Sequence, residues 1–154
     1  MNAAQYLACL LAQQACVADL RELMAQERDA MALGCFEPLR SLAQRKAQHL
    51  QQLAALDHTR EAAQRAAGHA PGRAGADAAA AAFGEATQRA WGELLAAAAQ
   101  ARADNIQTGT VVWAHLDYTR RTINFLRNSA QLFYGKDGAR RSTPLGADRR
   151  IAAG

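Results

Sequence analysis

Residues 3–33 have the sequence AAQYLACLLAQQACVADLRELMAQERDAMAL, and this stretch decides the fold class. Its larger apolar side chains recur at steps of 3, 7, 3, 4 and 7 residues. The residues are Leu7, Leu10, Val17, Leu20, Met24 and Met31. Because an α-helix turns once every 3.6 residues, these steps place them on one helical face. Gly34 then provides a stop signal, and Pro38 suits the first turn of another helix, so the stretch predicts a long amphipathic helix that ends in a tight turn.

Residues 37–67 continue with helical spacing of apolar side chains. The positions are Leu39, Leu42, His49 or Leu50, Leu53 and Leu56. Beyond Leu56 no apolar side chain larger than alanine occurs up to residue 67, which predicts weak packing of the last two turns. Residues 68–76 contain three glycines and Pro71 and indicate a linker, after which Asp77 is a candidate helix cap.

Residues 78–132 predict a third helix that is much longer than the first two. It would measure about 80 Å, against about 45 Å for each of the others, at roughly 1.5 Å per residue. Two alternatives remain for it. Either the helix continues beyond its partners, or it breaks near Gly109, where residues 108–112 have low helix propensity, and folds back as a fourth helix.

The predicted fold is therefore all-α, an antiparallel bundle of three long helices whose third helix is overlong or broken near Gly109. The bundle forms one domain over residues 1–132, and an irregular, basic C-terminal tail covers residues 133–154. After Gly109 the sequence has an apolar stripe at Val112, Trp113, Leu116, Ile123 and Leu126. Apolar surface that the bundle leaves uncovered is typical of an interaction site.

The positive charge of the chain is concentrated near its C-terminus. The formal net charge is +4, and residues 118–154 alone contain eight basic and two acidic side chains. Arginines there could contact phosphates beside Trp113, Phe133 and Tyr134, and residues 111–132 could lie on a membrane surface. Lysine is almost absent, however, which indicates a general preference for arginine, so we predict no nucleic-acid partner. No apolar stretch approaches the roughly 20 residues that span a bilayer, so we predict no stable membrane insertion.

No arrangement of residues indicates catalysis or a bound cofactor. The four histidines have no i, i+4 pairing with one another or with a cysteine, and the three cysteines lack Cys-x-x-Cys spacing. The glycines at 68, 72 and 75 follow no strand, so a phosphate-binding loop is not indicated. We predict a protein without enzymatic activity, cofactor or metal. With no signal peptide or membrane span in view, we expect it in the reducing cytoplasm.

Three passages, taken in order, resemble the FlgN family of bacterial flagellar export chaperones. The first has the pair Glu27-Arg28 followed by Lys46 among leucines, and the second is Asn105-x3-Gly109. The third is the turn FYGKDG at residues 133–138. Thr108 departs from the family pattern, in which a second asparagine is common.

The resemblance implies a helical chaperone that binds hook-filament junction proteins, also called hook-associated proteins, and delivers them to the flagellar export gate. In such a chaperone the C-terminal helical segment binds cargo, which assigns this role to the apolar stripe. Tyr134 becomes the candidate for export-gate docking, the alternative being an aromatic anchor for the turn. For Asn105 two alternatives remain: it has the role of the family's asparagine motif, or it only satisfies a buried polar position. The alternative function is a homodimeric coiled-coil scaffold or interaction module.

Overall fold

The computed structural model describes the backbone of residues 1–134 and the side chains of residues 1–128. Over that range the chain is all-helical, with four α-helices and no strand. The helices are α1 Ala3–Ala32, α2 Leu39–Ala66, α3 Gly72–Ala82 and α4 Glu85–Tyr134. The chain divides into two compact units, Met1–Trp113 and a second that begins at Ala114. The single domain and the irregular tail remain predictions, and residues 135–154 lie outside the described part.

Helix α1 starts with a reciprocal cap and forms the centre of the first unit. The Asn2 side chain accepts a hydrogen bond from the Gln5 amide at 2.9 Å, and the Gln5 side chain accepts one from the Asn2 amide at 3.0 Å. Leu10 and Met24, both members of the predicted apolar face, are almost completely buried. Gly34 follows the helix with φ +69°, a left-handed conformation that suits glycine.

Side-chain contacts establish the direction of α2 relative to α1. The Cys9 thiol, early in α1, donates to the carbonyl of Leu56, late in α2, at 3.5 Å. Glu27, late in α1, pairs with Lys46 in the first third of α2. The two helices therefore run in opposite directions.

Contacts of α1 with α4 follow the opposite order. The Gln14 amide donates to the Ala90 carbonyl at 2.7 Å, and Arg28 donates to the Thr108 hydroxyl at 3.0 Å. The earlier residue of α1 thus contacts the earlier residue of α4, and the later residue contacts the later one. Within the first unit these helices therefore run in the same direction.

The linker predicted over residues 68–76 is wrong in its second half, because α3 already begins at Gly72. Gln64, fully buried at the end of α2, donates from its side-chain nitrogen to the carbonyls of Ala70 and Gly72. Gly75 packs directly against this turn, and a Cβ there would overlap the Ala70 carbonyl and the Gln64 side chain. Glycine that looks like a flexible linker in the sequence instead permits close approach of two backbones.

The helix predicted over residues 78–132 is also corrected, because it is divided at its N-terminal end. Phe83 caps α3, and Gly84 with φ +111° turns the chain into α4. The turn brings the Phe83 ring to 4.9 Å from the Tyr6 ring, measured between centroids. Asp77 does not cap a helix; its carboxylate accepts a hydrogen bond from the indole of Trp91 at 2.6 Å.

The end of α2 is not weakly packed, contrary to expectation. Arg60 is buried there, where it donates to Asp57 at 2.7 Å and to Gln64 at 2.8 Å. Its guanidinium carbon lies 5.1 Å from the ring centroid of Trp91, a cation–π distance. Burial raises the pKa of the neighbouring Tyr6, although the Arg60 cation opposes that shift. Polar side chains thus replace the missing apolar ones.

Two helical glycines should respond oppositely to alanine. Gly75→Ala should destabilise the protein by about 1–3 kcal/mol, because the new methyl group has no room. Gly92→Ala, in α4, places its methyl group where no other atom lies within 4 Å, and it should be neutral or stabilise by up to about 1 kcal/mol. Urea unfolding followed by circular dichroism measures both. Equal effects of the two substitutions would contradict the close packing of Gly75.

Candidate functional site

Helix α4 has helical backbone through Gly109, so the break considered there does not occur. A Cβ at Gly109 would meet no atom within 4 Å, and its low propensity is tolerated inside a long helix. Val112 and Trp113 follow at the end of the first unit, with exposed fractions of 39% and 71%. Both line a concave apolar site, which we term the distal cavity.

The distal cavity has a volume of about 430 Å³ and lies wholly within the first unit. All three long helices contribute to it. Its wall residues are Glu27 and Met31 of α1, Leu39, Ala43 and Lys46 of α2, and Asn105, Thr108, Gly109, Val112 and Trp113 of α4. The site therefore brings together residues of the first two family-like passages, which are far apart in the sequence.

An ion pair stands at the wall of the distal cavity. The Lys46 ammonium donates to both oxygens of Glu27, at 2.7 and 2.9 Å. The Glu27 side chain is only 8% exposed and that of Lys46 is 26% exposed. A carboxylate taken out of water needs such a partner, since an unpaired buried charge is strongly destabilising. The pair fixes α2 against α1 at this end of the unit.

Thr108 has a structural role that sequence reasoning missed. It is buried, its hydroxyl accepts from Arg28 at 3.0 Å, and it donates to the Asp104 carbonyl at 2.8 Å. The Asp104 carboxylate in turn pairs with Arg21 at 2.6 Å. Two arginines of α1 thus hold α4 in place, and a short hydroxyl suits this position.

Asn105 is exposed, which contradicts the suggestion that it satisfies a buried polar position. It lines the distal cavity and also a smaller cavity beside it. An exposed amide at a concave surface offers both a donor and an acceptor to a bound partner. The sequence indicated Asn105 as a motif residue, but it did not indicate that the side chain is exposed.

The second unit contains the remainder of the predicted apolar stripe. Leu116, Ile123 and Leu126 have exposed fractions of 52%, 50% and 59%. Tyr118 and Phe125, which were not predicted, are each 69% exposed. Tyr134 ends α4, but its side chain lies outside the described side chains, so its docking role stays a prediction.

Three further observations concern metal binding, membrane crossing and the cysteine thiols. Among the side chains described, residues 1–128, no cluster of three is suited to a metal ion. No helix in the described part of the chain has the length and hydropathy needed to cross a bilayer. Burial raises the pKa of the Cys9 and Cys16 thiols, so both stay protonated near neutral pH.

Comparison with protein families gives one informative result. The family model described as FlgN protein matches residues 1–142, most of the chain and all of the distal cavity. Searches of curated proteins and of solved structures found no significant match.

Proposed function

The chain belongs to the FlgN family of flagellar export chaperones, and from this membership we propose that it binds hook-filament junction proteins and delivers them to the export gate. The observation that carries the proposal is the exposure of the apolar stripe. Its five members are Val112, Trp113, Leu116, Ile123 and Leu126, and each is at least 39% exposed. Large apolar side chains repeated on one exposed helix are typical of a surface that another protein covers.

The proposed mechanism is coverage of one helix by another. A junction protein with exposed amphipathic helical ends would associate too early unless those ends were covered. An amphipathic chaperone helix can cover such an end along its apolar face, with anchors at i, i+4 and i+7 spacing. Each leucine or isoleucine buried in this way contributes roughly 1.5–3 kcal/mol. A few such anchors are sufficient for a complex that must later release its cargo.

Three further statements complete the proposal. Tyr134 contacts the export gate, because the family places a docking tyrosine after the last long helix. The protein acts in the cytoplasm, before export. It works by binding, without catalysis, metal or cofactor, and without nucleic acid.

Size-exclusion chromatography with light scattering tests the proposal. The purified chain is mixed with each hook-filament junction protein of its own organism, and the experiment is repeated with a truncation after Gly109. We expect a one-to-one complex that the truncation abolishes. A cargo-free dimer that binds no junction protein would instead support the homodimeric scaffold, since the exposed stripe also fits a second copy of itself.

A further inference from the structure

A long groove crosses the first unit between α2 and α4. Its proximal cavity, of about 390 Å³, lies between Leu53 of α2 and Leu94 of α4, with Val17 of α1 as part of the floor. A central cavity of about 240 Å³ follows, and then the distal cavity. Leu50 lines the proximal and central cavities, and Lys46 lines the central and distal ones. Because neighbouring cavities share wall residues, they form one groove.

The dimensions of the groove match a single helix. Along α2 it extends from Leu39 to Asp57, about 27 Å, and along α4 from Trp91 to Trp113, about 33 Å. A helix of five or six turns has that length. Since two helices form the walls and α1 the floor, an occupant helix would take the fourth position of a four-helix bundle.

The charges on the walls limit which helix fits. Lys46 and Arg102 line the central cavity from α2 and α4, and no carboxylate lines it. Lys46 already pairs with Glu27, whereas Arg102 is exposed and makes no ion pair among the described residues. The unpaired Arg102, opposite a Lys46 that Glu27 already neutralises, favours an occupant with a carboxylate at the same level and disfavours a cation there.

We propose that this groove binds an amphipathic helix of the exported partner, with a glutamate or aspartate near the centre of its apolar face. The identity of the partner rests on the proposed function; the groove and its charge preference do not. The carboxylate enters between Lys46 and Arg102, and the apolar residues on either side fill the proximal and distal cavities. The groove includes Val112 and Trp113 of the apolar stripe at its distal end, and its other wall residues lie outside the stripe.

A designed peptide tests the charge preference without any cargo. The probe is a fluorescein-labelled 20-residue amphipathic helix with leucine at its a and d positions and one central glutamate, and its match has lysine instead. Fluorescence anisotropy with the full chain should show at least tenfold tighter binding of the glutamate peptide. Arg102→Glu should remove or reverse that preference. Equal binding of both peptides to the wild-type chain would overturn the proposal.

A second pair of variants tests the location. Ala98 is exposed and lines the proximal cavity, so Ala98→Trp should fill it and weaken binding of the glutamate peptide at least tenfold. Ala99, also exposed on α4, lines none of the three cavities, and Ala99→Trp is the matched control with binding unchanged. Circular dichroism verifies that both variants fold. Identical binding by the two variants would place the peptide elsewhere and overturn the inference.

The same variants separate this inference from the proposed function. If junction proteins bind the wild-type chain and Ala98→Trp binds them equally well, the groove inference fails while the chaperone function stands. If no junction protein binds, the proposed function fails, and the peptide measurements still decide the groove. If the wild-type chain is a dimer that Ala98→Trp dissociates, the occupant is a second copy and the inference is wrong.

Discussion

Replacing Leu116 and Ile123 together with aspartate should reduce binding of a junction protein by about 100-fold or more. Each substitution removes an apolar contact of roughly 1.5–3 kcal/mol and would place a carboxylate in a dry interface. Both side chains are about half exposed in the free protein, so its helical fold should persist. Titration calorimetry with the purified junction protein measures the loss, and circular dichroism checks the helical content.

A matched control uses two positions on the opposite side of the same segment of α4. Ala114 and Asn128 are exposed, and at 100° per residue both lie about 120° or more around the helix from Leu116 and Ile123. Ala114→Asp combined with Asn128→Asp adds the same charge and should leave the affinity within about twofold, because exposed charges contribute little at this distance. If the two double variants weaken binding equally, charge rather than the apolar stripe explains the loss.

The sequence was most informative where local periodicity and burial agree. The apolar face of α1 was predictable because side chains three and four residues apart meet one core. The family was predictable because its passages occur in the correct order, and two of them meet in the distal cavity although Glu27 and Asn105 are far apart in the sequence. No local pattern could indicate that meeting, since it depends on how α4 packs against α1.

The errors arose where a distant contact overrides local preference. Gly72 and Gly75 have low helix propensity, yet the Gln64 side chain fixes the turn and Gly75 fits against it. A single glycine at 84 rarely ends a helix, since its cost is only about 1 kcal/mol; here the Phe83 contact with Tyr6 stabilises the turn. Both contacts join residues that no short sequence window contains.

Charged side chains were hardest to place. The last turns of α2 were predicted to pack weakly, yet Arg60 is buried there, donates a hydrogen bond to Gln64 and lies over the Trp91 ring. Only the family resemblance indicated Lys46, and its ion pair with Glu27 was not predictable from the sequence. Burial of an arginine or lysine requires a specific partner. When the partner lies on another helix, the local spacing of apolar residues does not indicate it.

The Glu27–Lys46 pair provides the second large expected effect. Lys46→Met should destabilise the protein by about 2–4 kcal/mol, because it leaves the Glu27 carboxylate buried without its cation. The partial exposure of Lys46 keeps the expected loss below that of a fully buried pair. Urea unfolding at 25 °C, followed by circular dichroism, measures the change.

Two further variants show whether the loss comes from the unpaired charge. Glu27→Met combined with Lys46→Met should return the stability to within about 1 kcal/mol of wild type, since two apolar side chains of similar length leave no buried charge. Arg89→Met, which breaks the exposed pair with Glu85, should cost less than about 0.5 kcal/mol. If Lys46→Met costs no more than Arg89→Met, Glu27 reaches water and the pair is an ordinary surface contact. If the double variant is as unstable as Lys46→Met, the two side chains stabilise the protein through packing, and the unpaired charge does not explain the loss.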